Sequence, residues 1–175
     1  MIAAVRDPSS ATSKSLAKLP VGPGSTLITV LFDASSETSI KNAINTLTSL
    51  FPIKTVNVVI AAAGIVEFEG TVLQTSIQGT RDQYNTNLIG NLALFQNIFP
   101  LLKTSEDGAL PKFITISSTV GSIGDMENWP MNATAYGMSK VALNWLTKKI
   151  HIENKGLIAF SVHPGYVFIS LPNIF

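Results

Sequence analysis

Short runs of apolar and β-branched residues alternate along this chain with longer stretches in which apolar residues recur at helical spacing. The short runs predict five strands, at residues 2–5, 26–32, 56–62, 113–117 and 158–162. The longer stretches predict four helices, at residues 10–19, 37–51, 81–102 and 135–154. This alternation predicts an α/β fold of the Rossmann-like type, a doubly wound parallel sheet in a three-layer αβα arrangement, with ligands at the carboxyl ends of the strands.

Composition supports a buried sheet in one domain that spans residues 1–175. Hydrophobic residues make up 46% of the chain and charged residues 13%, which is typical of a sheet covered on both faces. The net charge is +1 and the lysines are scattered, so we expect no nucleic-acid partner.

The same counts exclude several kinds of site. The chain has no cysteine and two distant histidines, so we expect no disulfide and no metal centre. The N-terminus lacks an apolar signal region, and no apolar run approaches the length of a membrane span. We therefore expect a cytoplasmic protein without a membrane partner.

A tyrosine and a lysine stand four residues apart in Tyr136-Gly-Met-Ser-Lys140. On a helix this spacing places two side chains on one face, with Cβ atoms about 5–6 Å apart. A nearby ammonium favours the phenolate, so we expect a lowered pKa for Tyr136, which would suit proton exchange with a carbonyl or alcohol. Ser118, just after the fourth predicted strand, is placed to hydrogen-bond the reacting oxygen. The alternative is a packed ring beside a solvated lysine.

Four segments carry a resemblance to a known family. They are Ile60-Ala-Ala-Ala-Gly64, Asn87-Leu-Ile-Gly90, Ile116-Ser-Ser-Thr-Val-Gly-Ser-Ile-Gly124 with the Tyr136 motif after it, and His163-Pro-Gly-Tyr-Val167. In this order they resemble the short-chain dehydrogenase/reductase family, and among its subgroups the fungal norsolorinic acid ketoreductase-type and bacterial C-factor-like reductases. The resemblance implies a catalytic set of Ser118, Tyr136, Lys140 and Asn87, in which Asn87 supports a water that leads to Lys140.

The resemblance also implies a nicotinamide cofactor. The residues implied to contact it are Arg6, Asp33, Ala61, Ala63, Gly64, Tyr136, Lys140, Pro164, Gly165 and Val167. Arg6 stands where a basic residue favours a 2′-phosphate, so NADP(H) is expected, with NAD(H) as the alternative. Without a cofactor role, Arg6 would be a surface residue in a turn and Asp33 an N-terminal helix cap.

Three parts of the chain depart from the family pattern. The family's first strand, glycine-rich turn and first helix have no counterpart, since Gly22-Pro-Gly24 precedes a strand instead of following one. In the family that strand lies between those equivalent to residues 2–5 and 56–62. We expect either that these two strands pair directly, or that backbone groups stay unpaired at about 1–3 kcal/mol each.

The other two departures concern the substrate and the partner. Residues 125–131 lengthen the spacing between Ser118 and Tyr136, and we expect this insertion to line the substrate pocket. The segment after Val167 differs from the family's substrate lid and final strand, so neither of these is expected, and a homo-oligomer remains an open alternative.

Two functions remain open from the sequence. The first is an NADPH-dependent ketoreductase for a small-molecule carbonyl, with an aromatic polyketide ketone such as norsolorinic acid as the implied substrate. Tyr136 would be the acid, Ser118 would polarise the carbonyl, and Lys140 would tune Tyr136 and bind ribose. The second is a truncated, inactive chain that keeps these residues without binding cofactor, or a non-catalytic interaction protein.

Overall fold

The computed structural model describes residues 1–67, 70–128 and 130–165. Within these ranges the chain forms parallel strands β1 (Ile2–Val5), β2 (Ile28–Leu31), β3 (Val58–Ala61), β4 (Lys112–Ile116) and β5 (Ile158–Val162). The α-helices are α1 (Ala11–Ser15), α2 (Glu37–Ser49), α3 (Ile77–Tyr84), α4 (Gly90–Ile98) and α5 (Thr134–Glu153). The predicted α/β fold of parallel strands with flanking helices is confirmed.

Serine side chains fix where three of the helices begin. Ser10, Ser36 and Ser76 each accept a hydrogen bond from the backbone amide three residues further on, which satisfies a donor that the first helical turn leaves free. The prediction of a helix starting at residue 81 was therefore four residues late, because Ser76 starts α3 at Ile77.

The long helix predicted at residues 81–102 is not uniform. A π-helical segment, Asn85–Ile89, separates α3 from α4, and a 3₁₀ turn, Phe99–Leu101, follows α4. One extra residue per turn widens the helix at Asn87 and lets its side chain point into the interior, where it is fully buried. Such π-helical segments are common at functional sites.

The predicted single sheet is divided in two. β1 pairs with β2, whereas β3, β4 and β5 form a separate sheet in that order. Direct pairing of β1 with β3, one of the two expected arrangements, is therefore wrong. A cavity of about 70 Å³ lies between them, lined by Ala4 of β1 and by Ile60 and Ala61 of β3.

Side chains from the helices join the two sheets. One hydrophobic cluster packs β1 and β2 on α2, and a second packs β3, β4 and β5 on α4 and α5. Ile44 of α2 and Leu94 of α4 belong to the margins of both clusters. The relative position of the two sheets therefore depends on the packing of α2 against α4.

The larger sheet has one covered face. Phe113 of β4 is fully buried and packs in one cluster with Ile98 of α4 and Ile150 of α5. On the alternate positions, Ile60 is 62% exposed and Phe160 is 41% exposed. The apolar composition that predicted a sheet covered on both faces thus leaves large side chains in contact with solvent.

Gly90, the first residue of α4, provides a test of the junction between the sheets. A Cβ atom added there would lie 2.1 Å from the backbone oxygen of Ala34, which cannot move without shifting the segment after β2. We expect Gly90→Ala to lower the free energy of unfolding by roughly 3 kcal/mol, measured by chemical denaturation, because overpacking would separate α4 from this segment.

Gly156→Ala is the matched control. No atom lies within 4 Å of a Cβ added at Gly156, which is exposed beyond the end of α5. We expect it to change the free energy of unfolding by less than about 1 kcal/mol. Equal stability of the two variants would contradict the close packing of α4 on Ala34.

Candidate active site

Most predicted site residues lie at the carboxyl ends of the strands. Arg6 directly follows β1, Ala63 and Gly64 follow β3, and Pro164 and Gly165 come shortly after β5. Parallel strands present these ends on one edge of a sheet, which is where ligands bind in such folds. Val167 lies outside the described residues.

Ser118 and Tyr136 come together in this structure. Ser118 follows β4 and precedes a short 3₁₀ turn, and its hydroxyl accepts a hydrogen bond from the Val120 amide at 3.3 Å. The same hydroxyl lies close enough to the phenol of Tyr136, in the first turn of α5, to lower the pKa of that phenol. The neighbouring Ser117 is buried, with its hydroxyl unpaired among the described residues. Of the two serines, Ser118 is the one that affects Tyr136, and its catalytic role stays a prediction.

Lys140 reaches the same site from one turn further along α5. Its Nζ donates a hydrogen bond of 2.8 Å to the backbone oxygen of Ile116 and lies 5.3 Å from the centroid of the Tyr136 ring. Burial disfavours the ammonium and lowers the pKa of Lys140 from 10.5 to about 8. A buried lysine with this pKa stands close to its point of titration near neutral pH.

The expected lowering of the Tyr136 pKa is wrong for this structure. Burial, which disfavours the phenolate, raises the pKa of Tyr136, and the Ser118 hydroxyl offsets this rise only in part. The reason is the position of the Lys140 ammonium. It lies against the Tyr136 ring and donates its hydrogen bond to the Ile116 oxygen instead of to the phenol oxygen. Tyr136 thus keeps its proton at neutral pH.

The side chain of Asn87, beside Tyr136 and Lys140, makes hydrogen bonds through both its oxygen and its nitrogen. Its Oδ1 accepts from the Ile65 amide at 2.8 Å, and its Nδ2 donates to the Ile65 oxygen at 2.9 Å and to the Ser139 hydroxyl at 3.0 Å. Its backbone oxygen accepts from the Asn91 side chain at 2.8 Å. The side chain is therefore committed to holding other protein groups, and its implied role in supporting a water stays a prediction.

Arg6 and Asp33 lie together at the other end of the candidate site. The Asp33 carboxylate accepts hydrogen bonds from the Ser35 hydroxyl at 2.7 Å and from the Ser35 amide at 2.9 Å. These two bonds lower the pKa of Asp33, and the positive charge of Arg6 lowers it further. Asp33 thus closes the turn before α2, while Ser36 caps that helix.

The turn after β3 is accessible. Ala61 is buried, whereas Ala63 and Gly64 are exposed at the sheet edge. A Cβ added at Gly64 would stand 3.2 Å from Asn87 Oδ1 and 3.6 Å from Lys140 Nζ. The absence of a side chain at Gly64 therefore lets this turn lie directly over both polar residues.

Sequence reasoning missed Ser139 and Asn91. Ser139 is fully buried, accepts a hydrogen bond from Asn87, and donates one of 2.8 Å to the backbone oxygen of Tyr136. Its place between Tyr136 and Lys140 on the helix was the available signal. Asn91 stands one helical turn after Asn87, and nothing in its spacing from the motifs marked it.

We found no second candidate site of these kinds in the described part of the chain. The larger surface cleft, of about 430 Å³, lies between α5 and β5 and contains none of the predicted site residues. No cluster of three metal-ligating side chains occurs in residues 1–67, 70–128 and 130–165. None of the helices in those ranges is both long and apolar enough to cross a membrane.

Comparison with known proteins places the chain in a family. The family model for short chain dehydrogenases matches residues 2–170. The chain therefore belongs to the short-chain dehydrogenase/reductase family, as its motifs indicated.

Two curated relatives come from fungi. The chain is 38% identical over 167 residues to the short chain dehydrogenase gsfK of Penicillium aethiopicum, covering 95% of this chain and 65% of the relative. It is 36% identical over 170 residues to the norsolorinic acid ketoreductase nor1 of Dothistroma septosporum, covering 95% of this chain and 62% of the relative. The chain thus spans slightly less than two thirds of the length of these relatives.

A solved structure has the same fold. The NADPH-bound carbonyl reductase from chicken fatty liver matches with a TM-score of 0.83 and 31% identity, covering 94% of this chain and 67% of that chain. A match over nearly the whole chain includes both groups of strands.

The influence of Ser118 on Tyr136 provides a test of the site's electrostatics. The Ser118 hydroxyl favours the phenolate, so its removal leaves the contribution of burial unopposed. We expect Ser118→Ala to raise the pKa of Tyr136 above its wild-type value, measured by ultraviolet difference titration with Tyr136→Phe as the spectral reference. Ser122→Ala is the control and should leave that pKa unchanged. A fall in the Ser118→Ala variant would contradict the assigned contact.

Proposed function

We propose that this chain carries the catalytic part of an NADPH-dependent ketoreductase that reduces a small-molecule carbonyl to an alcohol. The proposal rests mainly on one observation. The side chains of Ser118, Tyr136 and Lys140 lie close together at one edge of the sheet. Family membership supports the same reaction class.

Tyr136 is suited to be the proton donor in this reaction. The phenol is protonated at neutral pH, as an acid must be before it gives its proton to the carbonyl oxygen, and its raised pKa makes it a weaker acid than a free tyrosine. The Ser118 hydroxyl, close to the phenol, orients that oxygen. Lys140, whose pKa is about 8, stabilises the phenolate that remains. Solvent then returns the proton to Tyr136.

Residues at opposite ends of the candidate site, along the carboxyl ends of the strands, suit the two halves of a dinucleotide. Arg6 and Asp33 suit the adenosine end, with Arg6 beside a 2′-phosphate, and Lys140 suits the ribose next to nicotinamide. When bound, a reduced nicotinamide supplies the hydride that the carbonyl carbon receives. Between these ends the chain offers the exposed turn at Ala63 and Gly64, whose backbone amides would approach the phosphates.

Apolar side chains near the site suit an aromatic ketone as substrate. In the insertion before α5, Met126 is 56% exposed and Met131 43%, and Ile123, two residues before the insertion, is 71% exposed. A bridge between Gly70 and Ala133 holds the segment after β3 beside the start of α5. Methionine adapts its shape to flat aromatic rings, so an aromatic polyketide ketone fits this composition.

A catalytically silent protein is the second candidate. The division of the sheet between β1 and β3 favours it, because the cavity between the strands is lined mainly by small apolar side chains and offers little to hold a pyrophosphate. Binding of NADPH distinguishes the two candidates.

We expect the purified 175-residue protein to bind NADPH saturably, measured by the change in NADPH fluorescence, and to reduce an aromatic ketone. Tyr136→Phe should bind NADPH like the wild type and lose at least about a hundredfold in kcat, because the proton donor is gone. A folded chain that binds neither NADPH nor NADH would support the silent candidate. A fully active Tyr136→Phe variant would refute the mechanism.

Cofactor preference is tested at Arg6. We expect Arg6→Ala to weaken NADPH binding roughly tenfold and to leave NADH binding unchanged, because a charged hydrogen bond to the 2′-phosphate is lost. Lys14→Ala, which removes a positive charge from α1, is the control and should bind both cofactors like the wild type. Equal weakening of both cofactors by Arg6→Ala would assign Arg6 a structural role.

A further inference from the structure

The first turn of α5 carries Tyr136 but has no side-chain cap. Ala133 precedes the helix and offers no oxygen to the free amides that begin it. The other major helices, α2 and α3, begin with a serine that does so. Uncapped helix ends fray readily, yet this one must hold the Tyr136 phenol against Ser118. Another contact must therefore hold the first turn of α5 in place.

Ser139 supplies that contact from inside the helix. Its hydroxyl donates a hydrogen bond of 2.8 Å to the backbone oxygen of Tyr136 and accepts one of 3.0 Å from Asn87 Nδ2. The hydroxyl is fully buried, so water does not compete for either bond. Ser139 therefore ties the first turn of α5 to the π-helical segment that carries Asn87.

Asn87 extends the connection to the turn after β3. Its side chain holds both the amide and the oxygen of Ile65, in the way that a neighbouring strand would. Gly64, the residue before Ile65, lies over Asn87 Oδ1 and Lys140 Nζ, where an added Cβ would be 3.2 Å from the first atom and 3.6 Å from the second. The turn, Asn87, Ser139 and the start of α5 thus form one hydrogen-bonded unit.

We propose that Ser139 is a positioning residue, which acts through Asn87 and the Tyr136 backbone to hold the catalytic face of α5 against the turn at Gly64 and Ile65. Its catalytic meaning rests on the proposed ketoreductase function. Its structural part, the coupling of the turn to the helix, does not depend on activity.

The test compares Ser139→Ala with Thr147→Val. Thr147 is a matched control because it lies on α5, is 1% exposed, donates a bond of 2.8 Å to the Leu143 oxygen, and shares a bond of 2.9 Å with Thr115 of β4. Both variants remove a buried hydroxyl that joins α5 to another element. Thr147 lies two turns of helix beyond Ser139, away from Tyr136.

The first readout is hydrogen exchange of the Ile65 amide, followed by NMR. We expect Ser139→Ala to speed this exchange at least tenfold relative to the Ile114 amide in β4, because Asn87 loses one of its anchors. Thr147→Val should leave that ratio unchanged. A general loss of stability would speed both amides alike.

The second readout is the pKa of Lys140, also from NMR. Its ammonium lies against the Tyr136 ring and donates to the Ile116 oxygen, and burial lowers its pKa with no contribution from a charged group of the described chain. Loosening the first turn admits water, and we expect Ser139→Ala to move this pKa from about 8 toward 10.5. Thr147→Val should not move it.

Ser139→Cys, which keeps the size with a weaker donor, covers the case in which Ser139→Ala does not fold, and should give smaller changes in the same directions. If the Ile65 exchange ratio and the Lys140 pKa both stay at their wild-type values in a folded variant, the proposal is overturned. Neither readout requires cofactor or turnover, so the result stands apart from that of the ketoreductase assay.

Discussion

Packing between α2 and α4 is the constraint on which the candidate site depends. The two groups of strands share no backbone hydrogen bonds, and Ile44 and Leu94 reach into both hydrophobic clusters. Arg6 and Asp33 belong to the smaller group, whereas Tyr136 and Lys140 pack on the larger. The two ends of a bound dinucleotide would therefore be spaced by side-chain packing, which is dense enough to transmit a shift of one group of strands to the other.

Burial sets the chemistry at the larger group of strands. It raises the pKa of Tyr136 and lowers that of Lys140, so both residues move toward their neutral forms. A neutral phenol is a proton donor, and a lysine that titrates near pH 8 responds readily to a phenolate beside it. The site thus holds a protonated phenol beside a lysine of lowered pKa. The polar contacts of Ser118 and Asn87 limit the cost of placing these groups in the interior.

Much of the fold and of the site followed from the sequence. The alternation of apolar runs and helical periodicity gave the order and type of the main elements, because both depend on local spacing. The Ser118, Tyr136 and Lys140 set followed from motif order. The start of α3 and the π-helical segment did not, since a serine cap and one extra residue per turn are small changes in a long apolar pattern. Ser139 was missed because its spacing places it between Tyr136 and Lys140 but does not show that its hydroxyl is buried and bonded to Asn87.

By itself the sequence determined the family, the parallel α/β class and the candidate site residues, since these depend on residue type and on spacing along the chain. Tertiary structure alone decided that β1 and β3 stay apart, because pairing requires the edges to meet in space. It also decided the direction of the Tyr136 pKa. Sequence spacing brings Lys140 near the ring, whereas burial and the bond to Ile116 determine what that proximity does.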